Sequence, residues 1–333
     1  MKTLVTGGTG FVGANVVRAL LQRGVEVRAL VRPTSDTRNL ASLDVELVYG
    51  DLRDQGSLGA ALKGCDTLFH VAAVYALWTS NRRELYDSNV AGTVHLMEAA
   101  QSAGLQKIVY TSSVATIGLP HNGQPGTEEL FLQPHELISD YKRSKHLAEQ
   151  QVLSLARRGL PVVIVNPSFP VGPWDSKPTP SGQLIVNFLR GKIPAYVDTG
   201  LNVGDVEDVA LGHVLAAEKG RIGERYILGH ENLTLPAMFR LLERVSGVKA
   251  PRLRVPYPVA YMSACVSEAI ARTITHRPPF ATLAGVKLSR KCMFFDASKA
   301  VRELGLPQTP AITAFDKAVR WFREHGYAPE KLR

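Results

Sequence analysis

The sequence predicts an α/β chain, a doubly wound parallel sheet with a smaller, mixed C-terminal substrate domain. Three observations carry this. Short β-branched runs alternate with helical patterns through the first half. A glycine triplet sits between the first run and the first helix. After Pro167 the pattern breaks, because "NPSFPVGPWDSKPTPSG" holds too much proline and glycine for a long regular element.

Taken in order, strands are expected at Thr3–Thr6, Val25–Val31, Val45–Tyr49, Thr67–Val71, Lys107–Thr111 and Val162–Asn166, with helices near 11–23, 54–63, 83–103 and 138–158. Such alternation means βαβ units whose sheet is covered on both faces. Later helices are expected at 206–218, 235–246 and 310–325. Residues 1–167 with a return segment at 202–229 form the nucleotide domain; 168–201 and 230–333 form the substrate domain. The most apolar helix, "PVAYMSACVSEAIARTI", carries Glu268 and Arg272 and reads as buried or groove-lining. Weak contact with a membrane surface or a lipid substrate is the lesser reading.

Composition excludes several classes. A chain of 333 residues can bury a large core. Its net charge of +9 is dispersed, with no aromatic-interleaved basic stripe, which argues against nucleic acid. Cys65, Cys265 and Cys292 are too far apart for a disulfide framework or a metal knuckle, and the histidines show no ligand-like pairing. A reducing, cytoplasmic setting with no metal is expected. "MKTLVTGG" leaves no room for a signal peptide, and no apolar run is long enough to span a membrane.

"VTGGTGFVGANVV" places Gly7, Gly10 and Gly13 at the first strand–helix junction. Glycines there let backbone approach a pyrophosphate, and a helix beginning at Phe11 and Val12 aims free N–H groups at the anion. That is the signature of a dinucleotide-binding Rossmann domain. NAD would need an acid near Val31; Arg32 follows instead and suits the 2′-phosphate of NADP(H), with Arg28 and Ser35 as helpers. NAD is the alternative, with Arg32 then a solvated charge. In "VYGDLRD", Asp51 beside Leu52 lies where adenine would sit, although it could also cap the next helix, as could Asp54. In "FHVAA", Val71, Ala72 and Ala73 would let backbone pass close to a cofactor, and packing alone would look the same.

In "DYKRSKHLAEQQ", Tyr141 and Lys145 share one helix face a turn apart. Alone, that spacing is ordinary helix surface. With the glycine loop, "GDL", "FHVAA", "YTSSVA" and "YKRSK" in this order, however, the chain resembles the extended short-chain dehydrogenase/reductases and their NAD(P)-dependent epimerase/dehydratase group. It is similar to the dihydroflavonol 4-reductase-like branch. Through "YALW", "NVAGT", "VNPSFPVGPWDSKPTP" and "GERYILGHENLTL" it most resembles the hopanoid-associated sugar epimerases.

The resemblance implies a catalytic triad of Ser113, Tyr141 and Lys145, with Asn89 in support. Lys145 and an oxidised nicotinamide would lower the phenol's pKa from about 10, so that Tyr141 could exchange a proton with a substrate oxygen. Lys145 would also hold ribose hydroxyls, and Ser113 would donate to the same substrate oxygen. Pro167 and Ser168 would set backbone against the nicotinamide, unless they form a plain strand-ending turn. His121 and His135 border the expected cleft, or are simply exposed loop residues.

Dehydration is disfavoured, since Val114 and Ala115 stand where family dehydratases carry an Asp–Glu pair. Tyr75, Trp78, Phe169 and Trp174 suggest a bulky, partly apolar small-molecule substrate, or core packing. The expectation is an NADP(H)-dependent oxidoreductase acting at a carbonyl or secondary alcohol. A sugar epimerase, nucleotide- or hopanoid-linked, is the runner-up, and an idle cofactor-binding regulator is the third reading. The resemblance also implies a homodimer seam through the helices at 83–103 and 138–158.

Overall fold

A computed structural model of the chain describes residues 2–75, 81–120, 122–275 and 282–329. The first half alternates strands and helices: β1 (Lys2–Thr6), α1 (Phe11–Gln22), β2 (Glu26–Val31), β3 (Glu46–Tyr49), α2 (Gln55–Leu62) and β4 (Thr67–His70). α3 (Arg82–Tyr86) and α4 (Gly92–Ser102) follow, then β5 (Lys107–Thr111), α5 (Asp140–Arg157) and β6 (Val162–Pro167). Next come β7 (Phe169–Val171), α6 (Pro180–Leu189), β8 (Ala195–Tyr196), β9 (Gly200–Asp205), α7 (Val206–Lys219) and β10 (Arg225–Leu228). The chain ends through β11 (Glu231–Thr234), α8 (Leu235–Ser246), β12 (Leu253–Arg254), α9 (Tyr257–Ile270), α10 (Leu283–Leu288), α11 (Ser298–Leu304) and α12 (Ala311–Glu324).

Seven parallel strands form the main sheet in the order β10-β6-β5-β4-β1-β2-β3. The expected doubly wound fold is what forms. Alternate side chains serve opposite faces, as strand pleating requires. Val5, Phe69, Val109 and Val163 pack with α1, α7 and α11, whereas Leu4, Leu68, Ile108 and Ile164 pack with α2, α4 and α5. Both faces being covered, β4 and β6 are buried along their whole length. The order reverses between β1 and β4, and that opens a crevice at their carboxyl ends.

The second half builds a smaller mixed layer. β7 runs parallel to β9, and β11 antiparallel to it. α6, α8 and α12 close a separate core around Phe188, Phe239, Phe315 and Phe322. The expected return segment splits between layers: β9 belongs to the small sheet, while α7 covers the large sheet and β10 edges it.

Two expectations change. The single helix expected at 83–103 is interrupted by a π-helical turn at Asp87–Ala91. The helix from Tyr257 is not buried: only Ala260, Ala264 and Glu268 of α9 are buried, while Val259, Met262 and Val266 are more than half exposed. Hydropathy alone could not distinguish an apolar face turned inward from one turned outward.

Candidate active site

At the crevice the backbone leaving β4 crosses directly over the glycine loop. Gly7 has φ +73°, and a Cβ there would lie 2.6 Å from the Ala72 nitrogen. One at Gly13 would lie 2.1 Å from the Gly7 oxygen, so only glycine lets the first turn of α1 settle on the loop. Gly10 caps α1 with no side chain, which leaves the first-turn N–H groups for an anion. The donor set and the close-packed cradle fit a pyrophosphate.

A cavity of about 410 Å³ runs from this cradle along the sheet edge. Its walls include Gly7, Gly10, Phe11, Val12, Gly13, Arg32, Asp51, Leu52, Val71, Ala72, Ala73, Pro167 and Ser168, and also Ser113, Tyr141 and Lys145. The glycine loop, the expected cofactor contacts and the catalytic three therefore meet in one cleft, although several do not play the expected part, and Arg28 and Asn89 lie outside its walls.

Ser139 caps α5 by accepting from the Lys142 N–H, which fixes where the helix starts and sets Tyr141 and Lys145 on its cleft face. Ser113 follows β5; its Oγ accepts from the Ala115 N–H at 3.1 Å, leaving its own proton free to donate. Burial pushes the Tyr141 phenol up to about 12, and a hydrogen bond from Ser113 pulls the other way. The expected lowering by Lys145 is absent from the free chain, and burial explains it. Desolvation brings the Lys145 ammonium down to about 8, against the pull of Glu149, and its Nζ donates to the Thr111 carbonyl at 2.8 Å. Glu149 in turn pairs with Arg225 at 3.2 Å and accepts from Thr116 and Asn166, so its buried charge is fully engaged.

Arg32 is exposed at the end of β2, and among the described residues its guanidinium has no hydrogen-bond or ion-pair partner. Ser35 accepts from its backbone N–H. Arg28 is no helper: it is tied to Glu46 and to the Ala61 and Lys63 carbonyls, away from the cleft. Asp54 is the cap of α2. Asp51 is instead gripped by Arg53 at 2.6 Å, which holds its carboxyl below the usual range and occupies much of its accepting capacity. Ser168 gives its N–H to the Leu228 carbonyl, so it fastens β6 to β10 and has no N–H left for a nicotinamide.

The expected aromatic set divides. Phe169 and Tyr75 line the cleft, with the Tyr75 ring 4.5 Å from that of Tyr141. Trp174, at φ +74°, lies outside it, stacked under Arg18 at 3.5 Å. Its carbonyl accepts from Asn39, and that of Pro173 from Asn15, so the segment before α6 is fastened to α1 and to the glycine-loop side. Trp78 and His121 lie outside the described residues, and His135 is exposed in the 3-10 turn Pro134–Glu136.

Sequence reasoning missed the polar layer beneath the cleft. Thr6 Oγ1 bonds His70 Nδ1 at 2.7 Å and accepts from the Ala72 N–H, and His70 Nε2 reaches Thr93 at 2.9 Å. The signal was a histidine closing a strand directly after Leu68 and Phe69. Asn89 is also buried; it exchanges two hydrogen bonds with the Val74 backbone and donates to Ser144, joining the β4 exit to α5. Thr179 and Ser181 reach the cleft from α6 and its cap, a contribution that no local pattern marks. Among the described residues no cluster could hold a metal ion, and no helix is long and apolar enough to cross a membrane.

The profile of the family described as the NAD dependent epimerase/dehydratase family matches residues 3–229. A "putative dihydroflavonol 4-reductase" of Synechocystis sp. is 50% identical over 97% of this chain and 95% of its own. "Sterol demethylase protein B" of Methylococcus capsulatus is 40% identical over 98% of this chain and 99% of its own. The crystal structure of gox2253 superposes with a TM-score of 0.88 at 50% identity, covering 98% of this chain and 99% of the other.

Proposed function

The chain belongs to the NAD dependent epimerase/dehydratase family, and from that premise we propose that it is an NADP(H)-dependent oxidoreductase acting at a carbonyl or secondary alcohol of a bulky, partly apolar substrate. The observation that carries the reading is the meeting of Ser113, Tyr141 and Lys145 in the cleft that begins at the glycine cradle. Residues 1–167 and 206–229 are assigned to the nucleotide, and 168–205 with 230–333 to the substrate.

The cradle and the α1 N-terminus would hold the pyrophosphate, Arg32 the 2′-phosphate and Lys145 the nicotinamide ribose. When bound, the nicotinamide supplies or accepts hydride at the carbon bearing the reacting oxygen. Tyr141 gives that oxygen its proton in reduction and takes it back in oxidation. A phenol near 12 is a competent donor; as a base it needs added positive charge nearby, which a charged Lys145 and a bound oxidised ring would supply. Ser113 donates to the same oxygen and stabilises developing charge there. Phe169 and Tyr75 offer apolar surface beside it, in keeping with two relatives named for a dihydroflavonol and a sterol. The second reading is a sugar epimerase; the family's description names epimerases.

Identifying the nucleotide that copurifies separates the two. Protein that is empty and prefers NADPH supports reduction; tightly retained NAD(H) overturns it in favour of epimerisation. Tyr141→Phe should cut turnover by about a hundredfold or more while leaving nucleotide affinity nearly unchanged. Turnover that persists would remove Tyr141 from the chemistry.

A further inference from the structure

Helix α9 is built inside out. Its inward face consists of the small residues Ala260 and Ala264 with Glu268, whereas Val259, Met262, Val266 and Ile270 are 58, 62, 55 and 43% exposed. Steps of three and four residues align those four in one stripe. Ile274, 72% exposed, continues it, and Leu253, 65% exposed, lies just before the helix. A surface helix ordinarily turns its large apolar residues toward the core, so a contiguous patch of this kind faces an apolar partner.

Charge identifies that partner. The positive charge is less dispersed than expected: residues 249–291 contain eight lysines and arginines against the single acid Glu268, a surplus of seven where the whole chain has nine. Lys249, Arg252, Arg254, Lys287, Arg290 and Lys291 are exposed in the segments that precede and follow α9; of these, Arg254 pairs with Asp198 and Lys291 with Glu136. Opposing two copies of such a face would bring like charges together, which disfavours self-association. An apolar stripe flanked by cations matches the acyl boundary and headgroups of an anionic bilayer.

We propose that α9 and its basic flanks dock the protein onto anionic membrane surfaces, with the helix lying along the interface. Docking does not depend on the reaction proposed above and is measurable without nucleotide or substrate. The test is flotation of the full chain with phosphatidylcholine vesicles, with or without about a quarter phosphatidylglycerol. Association is expected with the anionic vesicles alone and should weaken about tenfold on raising NaCl to about 0.5 M. Met262→Glu and Val266→Glu should each weaken it by about tenfold or more with an unchanged melting temperature, both side chains being exposed. Failure of the wild type to float, or flotation of these variants equal to wild type, overturns the proposal. So does a wild-type dimer that Val266→Glu converts to monomer, because the stripe would then be a self-association surface.

Discussion

At the scale of single residues, the cleft is decided by which polar groups are already engaged. Arg53 grips Asp51 and the Leu228 carbonyl takes the Ser168 N–H, whereas Arg32 stands in the cleft wall with no ion-pair partner among the described residues. A free guanidinium at the end of β2 matches a phosphate bidentately, and losing such a contact costs about 1.5–3 kcal/mol. Arg32→Ala is therefore expected to weaken NADPH binding about tenfold or more and leave NADH binding nearly unchanged, as measured by titrating each nucleotide. Equal losses for both would remove Arg32 from 2′-phosphate recognition. Sequence spacing placed these residues at the crevice, because strand ends follow from β-branched runs and glycines. It could not disclose who pairs with whom: the grip of Arg53 on Asp51 depends on rotamers, and the loss of Arg28 to the Ala61 and Lys63 carbonyls depends on where α2 ends.

At the scale of elements, the turn at Asp87–Ala91 does work that a regular helix could not. Its extra residue turns Asn89 inward, where the side chain satisfies both backbone groups of Val74 and reaches Ser144 on α5. Asn89→Ala would strand these buried groups, at about 1–3 kcal/mol for each one left unsatisfied. A lower midpoint in urea together with a fall in turnover is the expected outcome; unchanged unfolding would show that Val74 is held by other contacts. Amphipathic periodicity located the surrounding helices but passed over the π turn, since one added residue barely disturbs an apolar pattern. Similarly, β7, β9 and β11 are short strands whose pairing joins distant stretches, and no local signal specifies such partners.

Across the molecule, two buried histidines bind the sheet to its covering helices and make stability depend on pH. His70 joins Thr6 to Thr93, and His213 on α7 joins the Val209 carbonyl to Thr111. Burial lowers their pKa values from 6.5 to about 3 and about 4 respectively. Unfolded chains take up these protons as the pH falls below about 6.5, while folded chains do not, so acid favours unfolding. Stability should be lost steadily between pH 6.5 and about 4, by at most about 1.4 kcal/mol per pH unit for each histidine. Urea titrations across that window measure the slope, and His213→Gln should flatten it. A slope unaltered by that change would remove His213 from the acid sensitivity and leave it to His70 and the carboxylates.

The backbone leaving β4 roofs the Gly7 turn, and this has a consequence for biogenesis. A nascent chain that has made only β1 and α1 possesses the glycines but not the finished pocket, because Ala72 has yet to arrive. The cavity wall runs on to Ser181, so nucleotide binding as proposed would wait for at least that much of the chain. At a hundredfold excess over its dissociation constant a nucleotide would add about 2.7 kcal/mol to the folded state.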